Sequence, residues 1–303
     1  MKRLFVAMCF LALLVALMPI CAVTQSSQPE MKAEHGPPPI IVLGREEVKP
    51  GKFAAHAKLE ATWTQAFAKA NWPNYTLALT SVTGSPEVWF CNGFTNYEAM
   101  QKDGEMMRSN AALMAETDRY AAQEDQYLSD MRRWVLTYRE DLSYQPGINV
   151  GTAHNWMVDV IRVKVGHGRN FAEIRKMINA AHEKAKMDEH MAVYQVAEGA
   201  PMGTFVVFQP IPDLKFVDTM AKTHGNGSEY YNAMGDEGRK QVAEFTMNEV
   251  QSYERHLFAT SPSMSYMPKD VVAADPAFWS PKPMMKTPSK PTEAKMAKPK
   301  SQQ

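Results

Sequence analysis

Residues 40–70 read IIVLGREEVKPGKFAAHAKLEATWTQAFAKA. The β-branched, apolar run from Ile40 to Val48 ends in charges, which predicts a strand. Pro50-Gly51 interrupts it. Phe53, His56, Leu59, Trp63 and Phe67 then recur at helical spacing and give one apolar stripe, closed by Asn71-Trp72-Pro73-Asn74. A fainter copy of this grammar returns at 157–187, MVDVIRVKVGHGRNFAEIRKMINAAHEKAKM. Arg45 and Arg162, Val48 and Val165, and Gly51 and Gly168 all match at one offset. The chain therefore reads as two copies of one small α+β unit.

The segments between these stretches follow one order twice. Tyr75–Val82 and Glu87–Phe94 predict a hairpin about Thr83-Gly84-Ser85-Pro86. Thr95 then caps a helical stretch to about Asp130, and Arg133–Tyr144 predicts a fourth strand. In the second half, Trp156–Val165 predicts a strand and Asn170–Met187 a helix. His190–Ala197 and Thr204–Gln209 form a hairpin. Asp213 to about Arg255 is helical with a Gly-rich interruption at 224–227, and His256–Tyr266 is the last strand. Ser265-Tyr266-Met267-Pro268 echoes Ser143-Tyr144-Gln145-Pro146. Strand-helix-strand-strand-helix-strand is the ferredoxin-like order. The expected fold is α+β: two tandem βαββαβ units, 40–148 and 149–268, whose antiparallel sheets pack face to face and bury each other's bare side.

Length and composition fit this picture. The chain has 303 residues, 45 % of them hydrophobic and 22 % charged, enough for about two packed domains. Formal net charge is zero but unevenly spread, and the body is mildly acidic. That excludes the clustered basic face a nucleic-acid partner would need. The 22 methionines are scattered and read as gap-filling hydrophobes.

Residues 1–24 carry a basic start, Lys2-Arg3, an apolar run from Leu4 to Leu17, and small residues at Ala22 and Thr24. They predict an export signal cleaved near Gln25, and hence a secreted or periplasmic protein without stable membrane insertion. Residues 25–39 end in Gly36-Pro37-Pro38-Pro39 and read as a linker. Residues 269–303 are rich in Pro and Lys and read as a disordered tail after a short ordered patch at Phe278-Trp279. Cys9 and Cys21 fall in the signal. Cys91 is then the sole mature cysteine, so no internal disulfide can form and it reads as a buried small hydrophobe.

The strand end REEVKPG, Arg45 to Gly51, together with the Trp-containing helix end and the hairpin Leu77–Phe90, resembles the dimeric α+β barrel superfamily. That group holds the NIPSNAP-like and antibiotic-biosynthesis-monooxygenase-like domains. The resemblance spans about residues 40–268 and is fainter in the second half, where Gly166-His167-Gly168 replaces the Pro-Gly turn. It implies a barrel-like fold and a range of activities that includes haem degradation and cofactor-free oxygenation, so fold alone does not choose a reaction. The Asn, Trp and His set of the haem-degrading members has no residue-by-residue match here.

Several residues merit weighing as a site. Arg45 and Arg162 sit at equivalent strand ends, where a guanidinium fork can clamp a small anionic or carbonyl-bearing ligand. The alternative is pairing with a neighbouring glutamate. Trp89, Tyr138 and Tyr194 can line an aromatic pocket or simply fill the core. Asp159, mid-strand in VDVIRV, would be a candidate base if its face lines the space between the sheets. His56 and Glu60, one helical turn apart, can hold a metal, relay a proton, or satisfy each other. No Walker loop, dinucleotide fingerprint, HExxH or nucleophile elbow is present. The sequence favours an exported small-molecule-binding or non-catalytic module that needs no cofactor. The alternative is a cofactor-free or haem-dependent monooxygenase acting between the sheets.

Overall fold

The structure, a computed structural model, describes residues 36–280. The expected export signal, residues 25–35 of the linker and residues 281–303 of the tail lie outside the described residues. The first half runs β1 (Ile40–Val48), α1 (Phe53–Ala70), β2 (Thr76–Ser81), β3 (Glu87–Phe94), α2 (Tyr97–Ser109), α3 (Ala111–Glu124) and β4 (Leu128–Tyr138). The second runs β5 (Asn155–Val163), α4 (Gly168–Lys184), β6 (Ala192–Glu198), β7 (Thr204–Ile211), α5 (Lys215–His224), α6 (Glu229–Asn248) and β8 (Val250–Thr260). Two short helices follow, α7 (Lys269–Ala274) and α8 (Pro276–Trp279). Among the described residues no helix is long and apolar enough to cross a membrane.

All eight strands form one closed antiparallel barrel in the order β1-β3-β2-β8-β5-β7-β6-β4. The two four-stranded sheets expected to face each other are joined edge to edge into this one barrel. Each half contributes four neighbouring strands, fourth-first-third-second, but their edges also pair. Leu79 lies opposite Thr260 across β2 and β8, and Leu136 lies opposite Val196 across β4 and β6. Left open, those edges would expose rows of unpaired N–H and C=O groups, and closure satisfies them. The inward face still opposes one half to the other. Leu43, Leu79, Trp89, Leu136, Val158 and Phe258 point into the barrel with none of their surface exposed. Full burial of one such side chain stabilises the fold by about 1.5–3 kcal/mol.

The helices pack outside. Gly51, at φ 75°, makes the turn into α1. Asn71, left-handed at φ 47°, ends the helix by donating its N–H to Ala68. On the stripe of α1, Trp63 stacks on Tyr120 of α3 at 5.0 Å. The single long helix expected after Thr95 is two helices. Asn96, not Thr95, caps α2, and Asn110 caps α3 by accepting the Leu113 amide at 3.1 Å.

Strands β4 and β8 begin five to six residues earlier than the hydrophobic pattern suggests. Their first residues, LSDMRR and VQSYER, are largely polar and exposed, so no apolar alternation marks them. The residues after each strand form instead a 3-10 turn and a single bridge, Tyr144 to Met191 and Tyr266 to Thr76. The echoed Ser-Tyr pairs sit there. Ser143 Oγ accepts the Val193 amide at 2.9 Å, and Ser265 Oγ accepts the Ala78 amide at 2.9 Å. Each serine thus ties the end of its own half to the second strand of the other.

The segment expected to be mostly disordered after residue 268 is helical as far as Trp279, and it caps one barrel end. Trp279 donates its Nε1–H to the Gly151 carbonyl at 2.8 Å. A Cβ on Gly151 would lie 2.6 Å from Ala274 Cβ and 2.9 Å from the Val271 carbonyl, so only glycine admits this approach.

Candidate functional site

One end of the barrel, where β1, β2, β5 and β6 begin, is hollow. There a cavity of about 330 Å³ opens, the low end of the range for ligand pockets. An eight-stranded barrel is just wide enough for this. Trp156, Tyr194, Phe208, Leu77 and Ala192 line it from the strands. Pro37–Pro39 and Val271 of α7 close over the mouth. The segment read as a linker is therefore cavity wall in its last residues. Tyr194 donates its hydroxyl to the Pro38 carbonyl at 3.0 Å, and the Tyr138 amide donates to the Pro39 carbonyl at 2.9 Å. Among the described residues, no carboxylate, imidazole, amine or guanidinium lines this wall. Cys91 does, and burial pushes its thiol up to about 12.

Of the candidate ligand-binding and catalytic residues named from the sequence, Tyr194 alone is in the cavity lining. Tyr138 packs on the Tyr194 ring at 5.4 Å from the side. Trp89 is fully buried deeper in the barrel, 4.7 Å from Phe258. Arg45 and Arg162 face inward as expected, but at the opposite end from the cavity, because β1 and β5 both start at the mouth and end at the arginines. Arg45 is not free to clamp an anion. Its Nη2 lies 3.1 Å from Glu87 Oε2, and its guanidinium sits 4.4 Å from the Trp89 ring and 4.8 Å from the Trp134 ring. The cleft around it holds about 10 Å³, no more than one water. Arg162 Nε is buried without a hydrogen bond.

Asp159 stands on the outer face of β5, because Val158 and Val160 take the inner one. Arg255 and Tyr253 of β8 hold its carboxylate at 2.7 Å each. The condition for a base between the sheets is not met.

His56 also lies outside the barrel, fully buried between α1 and β1. Its Nε2 is 2.9 Å from Glu46 Oε2, 3.8 Å from Glu60 Oε1 and 4.0 Å from Glu124 Oε1. Burial, then the Glu46 and Glu124 charges, push the Glu60 carboxyl up to about 9. This group stays protonated at neutral pH and lowers the charge of the cluster.

A second ionisable cluster escaped sequence reading. His182 of α4, Glu189 in the loop before β6 and His224 at the end of α5 bring one ligand atom each within 4.8 Å of one another. Burial raises the Glu189 carboxyl, but the two histidines outweigh it and hold it at about 2. Spacings of seven and 35 residues across three elements leave no local pattern to find.

No family model matches the sequence, and no curated protein matches it. Solved structures do match the fold. The structure of an anthrone oxidase-like protein matches with 11 % identity and a TM-score of 0.51, covering 76 % of this chain and 94 % of that one. A candidate monooxygenase from Fusobacterium nucleatum matches with 14 % identity and a TM-score of 0.47, covering 74 % and 93 %. A haem-binding protein from Thermus thermophilus matches with 11 % identity and a TM-score of 0.40, covering 81 % and 98 %. The match at a TM-score of 0.51 shows that the chain shares an α+β fold with the anthrone oxidase-like protein. The likeness concerns the fold.

Proposed function

We propose that this protein is an exported binding module that holds a small, mainly apolar molecule in its barrel. The cavity is the observation that carries this reading. Its wall is apolar and has no carboxylate or imidazole to act as a general base, which favours binding over chemistry. An anionic guest finds no counter-charge there, and a carbonyl-bearing one remains compatible. The neutral fluorophore N-phenylnaphthylamine is a suitable probe. It should bind the wild type with enhanced emission, and Ala192→Phe should abolish the enhancement while the fold melts cooperatively. Equal binding by both proteins contradicts the reading.

Three finer elements belong to the same proposal. The two halves are tandem ferredoxin-like copies, supported by the matched strand orders and by Ser143 and Ser265. A NIPSNAP-like or antibiotic-biosynthesis-monooxygenase-like affiliation is supported by the Arg45–Gly51 segment. Export is supported by residues 1–24, and amino-terminal sequencing from the native host should start near Gln25.

The oxygenase alternative rests on the sequence resemblance, and the names of the structural neighbours are compatible with it. For a haem-dependent form, the cavity wall offers no axial imidazole, and the Cys91 thiol, at about 12, stays protonated. Haem does not fit this wall. A Soret band on the purified protein would overturn the binding-module reading.

A further inference from the structure

We infer that His182, Glu189 and His224 form a binding site for one divalent transition-metal ion on the outer face of the second half. The argument begins with the tautomer of His182. Its Nδ1 lies 2.8 Å from the Ile178 carbonyl, which can only accept, so Nδ1 carries the proton. In the neutral ring Nε2 then presents a lone pair, and it points at Glu189 Oε2, 3.7 Å away. In a buried setting these two atoms need a positive charge between them, and at 3.7 Å the gap is too long for a direct N–H to oxygen hydrogen bond but can be bridged by a metal ion. His182 and Glu189 are 4 % and 5 % exposed, so water gives little relief.

Glu189 adds a second observation. Gln209 donates to its Oε2 at 2.9 Å, but Oε1 is buried without a hydrogen bond. His224 Nε2 is 3.2 Å from that Oε1, near enough to touch yet out of hydrogen-bonding alignment. Separations of 3.2 and 3.7 Å suit two ligands of one ion. Bonds of about 2.0–2.2 Å at tetrahedral or octahedral angles place ligand atoms roughly 2.8–3.6 Å apart, so the His224 pair already has this separation and the His182 pair needs to close only slightly.

The supporting shell is also complete. Metal-bound histidines usually give their other N–H to a carbonyl or similar acceptor, which fixes ring and tautomer. His182 does so with Ile178. His224 Nδ1 is 3.0 Å from Thr223 Oγ, and Gln209 orients the carboxylate. Tyr230 packs against both imidazoles, at 4.7 and 4.8 Å. The buried Arg175, two turns earlier on α4, turns its guanidinium to Asn179 and Met191 instead.

Two imidazoles and one carboxylate suit Zn²⁺, Fe²⁺ or Co²⁺ better than Mg²⁺ or Ca²⁺. Three protein ligands leave coordination positions open, as in catalytic rather than structural sites. His224 is the most exposed member, with 22 % of its side chain accessible, and its side supplies the entry path. The cluster around His56 is the weaker candidate. His56 Nε2 already has Glu46 at hydrogen-bond distance, and a retained proton on Glu60 lowers the negative charge there.

The test is calorimetric titration of Zn²⁺ into untagged, chelator-dialysed protein, with Co²⁺ absorption as a second readout. The wild type should take up one equivalent at this site and show a Co²⁺ d–d band. His224→Ala and Glu189→Ala should each lose that equivalent and the band, whereas His56→Ala should keep both. His224 is partly exposed at the end of α5, so its variant should stay folded, and a cooperative melt checks that. A wild type that binds neither ion, an unchanged titration in His224→Ala, or loss only in His56→Ala overturns the proposal.

Discussion

Arg45 and Glu87 meet across β1 and β3, Nη2 to Oε2 at 3.1 Å, with the guanidinium held between Trp89 and Trp134. Both side chains are largely buried, so removing the arginine leaves Glu87 charged with no cation beside it and the Trp89 Nε1–H, at 2.6 Å, as its remaining side-chain donor. Arg45→Ala should cost about 3–5 kcal/mol of stability, the scale for breaking a buried pair. Probe affinity at the far end of the barrel should not change. Chemical denaturation and N-phenylnaphthylamine titration of the same variant check both halves of this statement. A loss of affinity in a stable Arg45→Ala protein would place the ligand at the arginine end after all.

Ser143 and Ser265 make the same tie in opposite directions. Each accepts a strand amide from the other half, and each donates back to its own turn, to Arg139 and Ser261. Alanine at either position leaves a partly buried N–H unpaired, worth about 1–3 kcal/mol. The two single variants should lower the urea midpoint by similar amounts. One large and one negligible effect would argue against equivalent roles.

Glu60 gives a pH signature of definite sign. Its folded carboxyl is pushed up to about 9, against an ordinary value of 4.5. Between those values the folded state holds a proton that the unfolded state has lost, so this group weakens the fold progressively as pH rises. Glu60→Gln removes that dependence. The variant should match the wild type at pH 4 and exceed it by about 1–3 kcal/mol at pH 8. Melting temperatures across that range decide it, and a variant less stable at pH 8 than at pH 4, relative to wild type, contradicts the assignment.

Much of this fold is readable from the chain, for physical reasons that also mark where reading stops. The bounds of β1, α1 and β3 follow from apolar runs or a clear helical stripe, because the two strands are buried on both faces and the helix along one. The starts of β4 and β8 are hidden because those residues are polar and largely exposed, and their pairing partners set the structure. The barrel end at Arg45 is legible as a strand terminus, but its pairing with Glu87 depends on register between strands. Pro37–Pro39 have no period, so only tertiary structure shows them as cavity wall. His182, Glu189 and His224 converge from two helices and a loop, and no local spacing announces them.

The central claim is that the barrel takes an apolar guest at the Tyr194 end and not at the arginine end. Crystals grown with bromonaphthalene, measured at the bromine edge, test it directly. The account predicts an anomalous peak inside the barrel in contact with Trp156 and Tyr194. A peak beside Arg45 or Arg162, or none in the barrel at saturating compound, would contradict it.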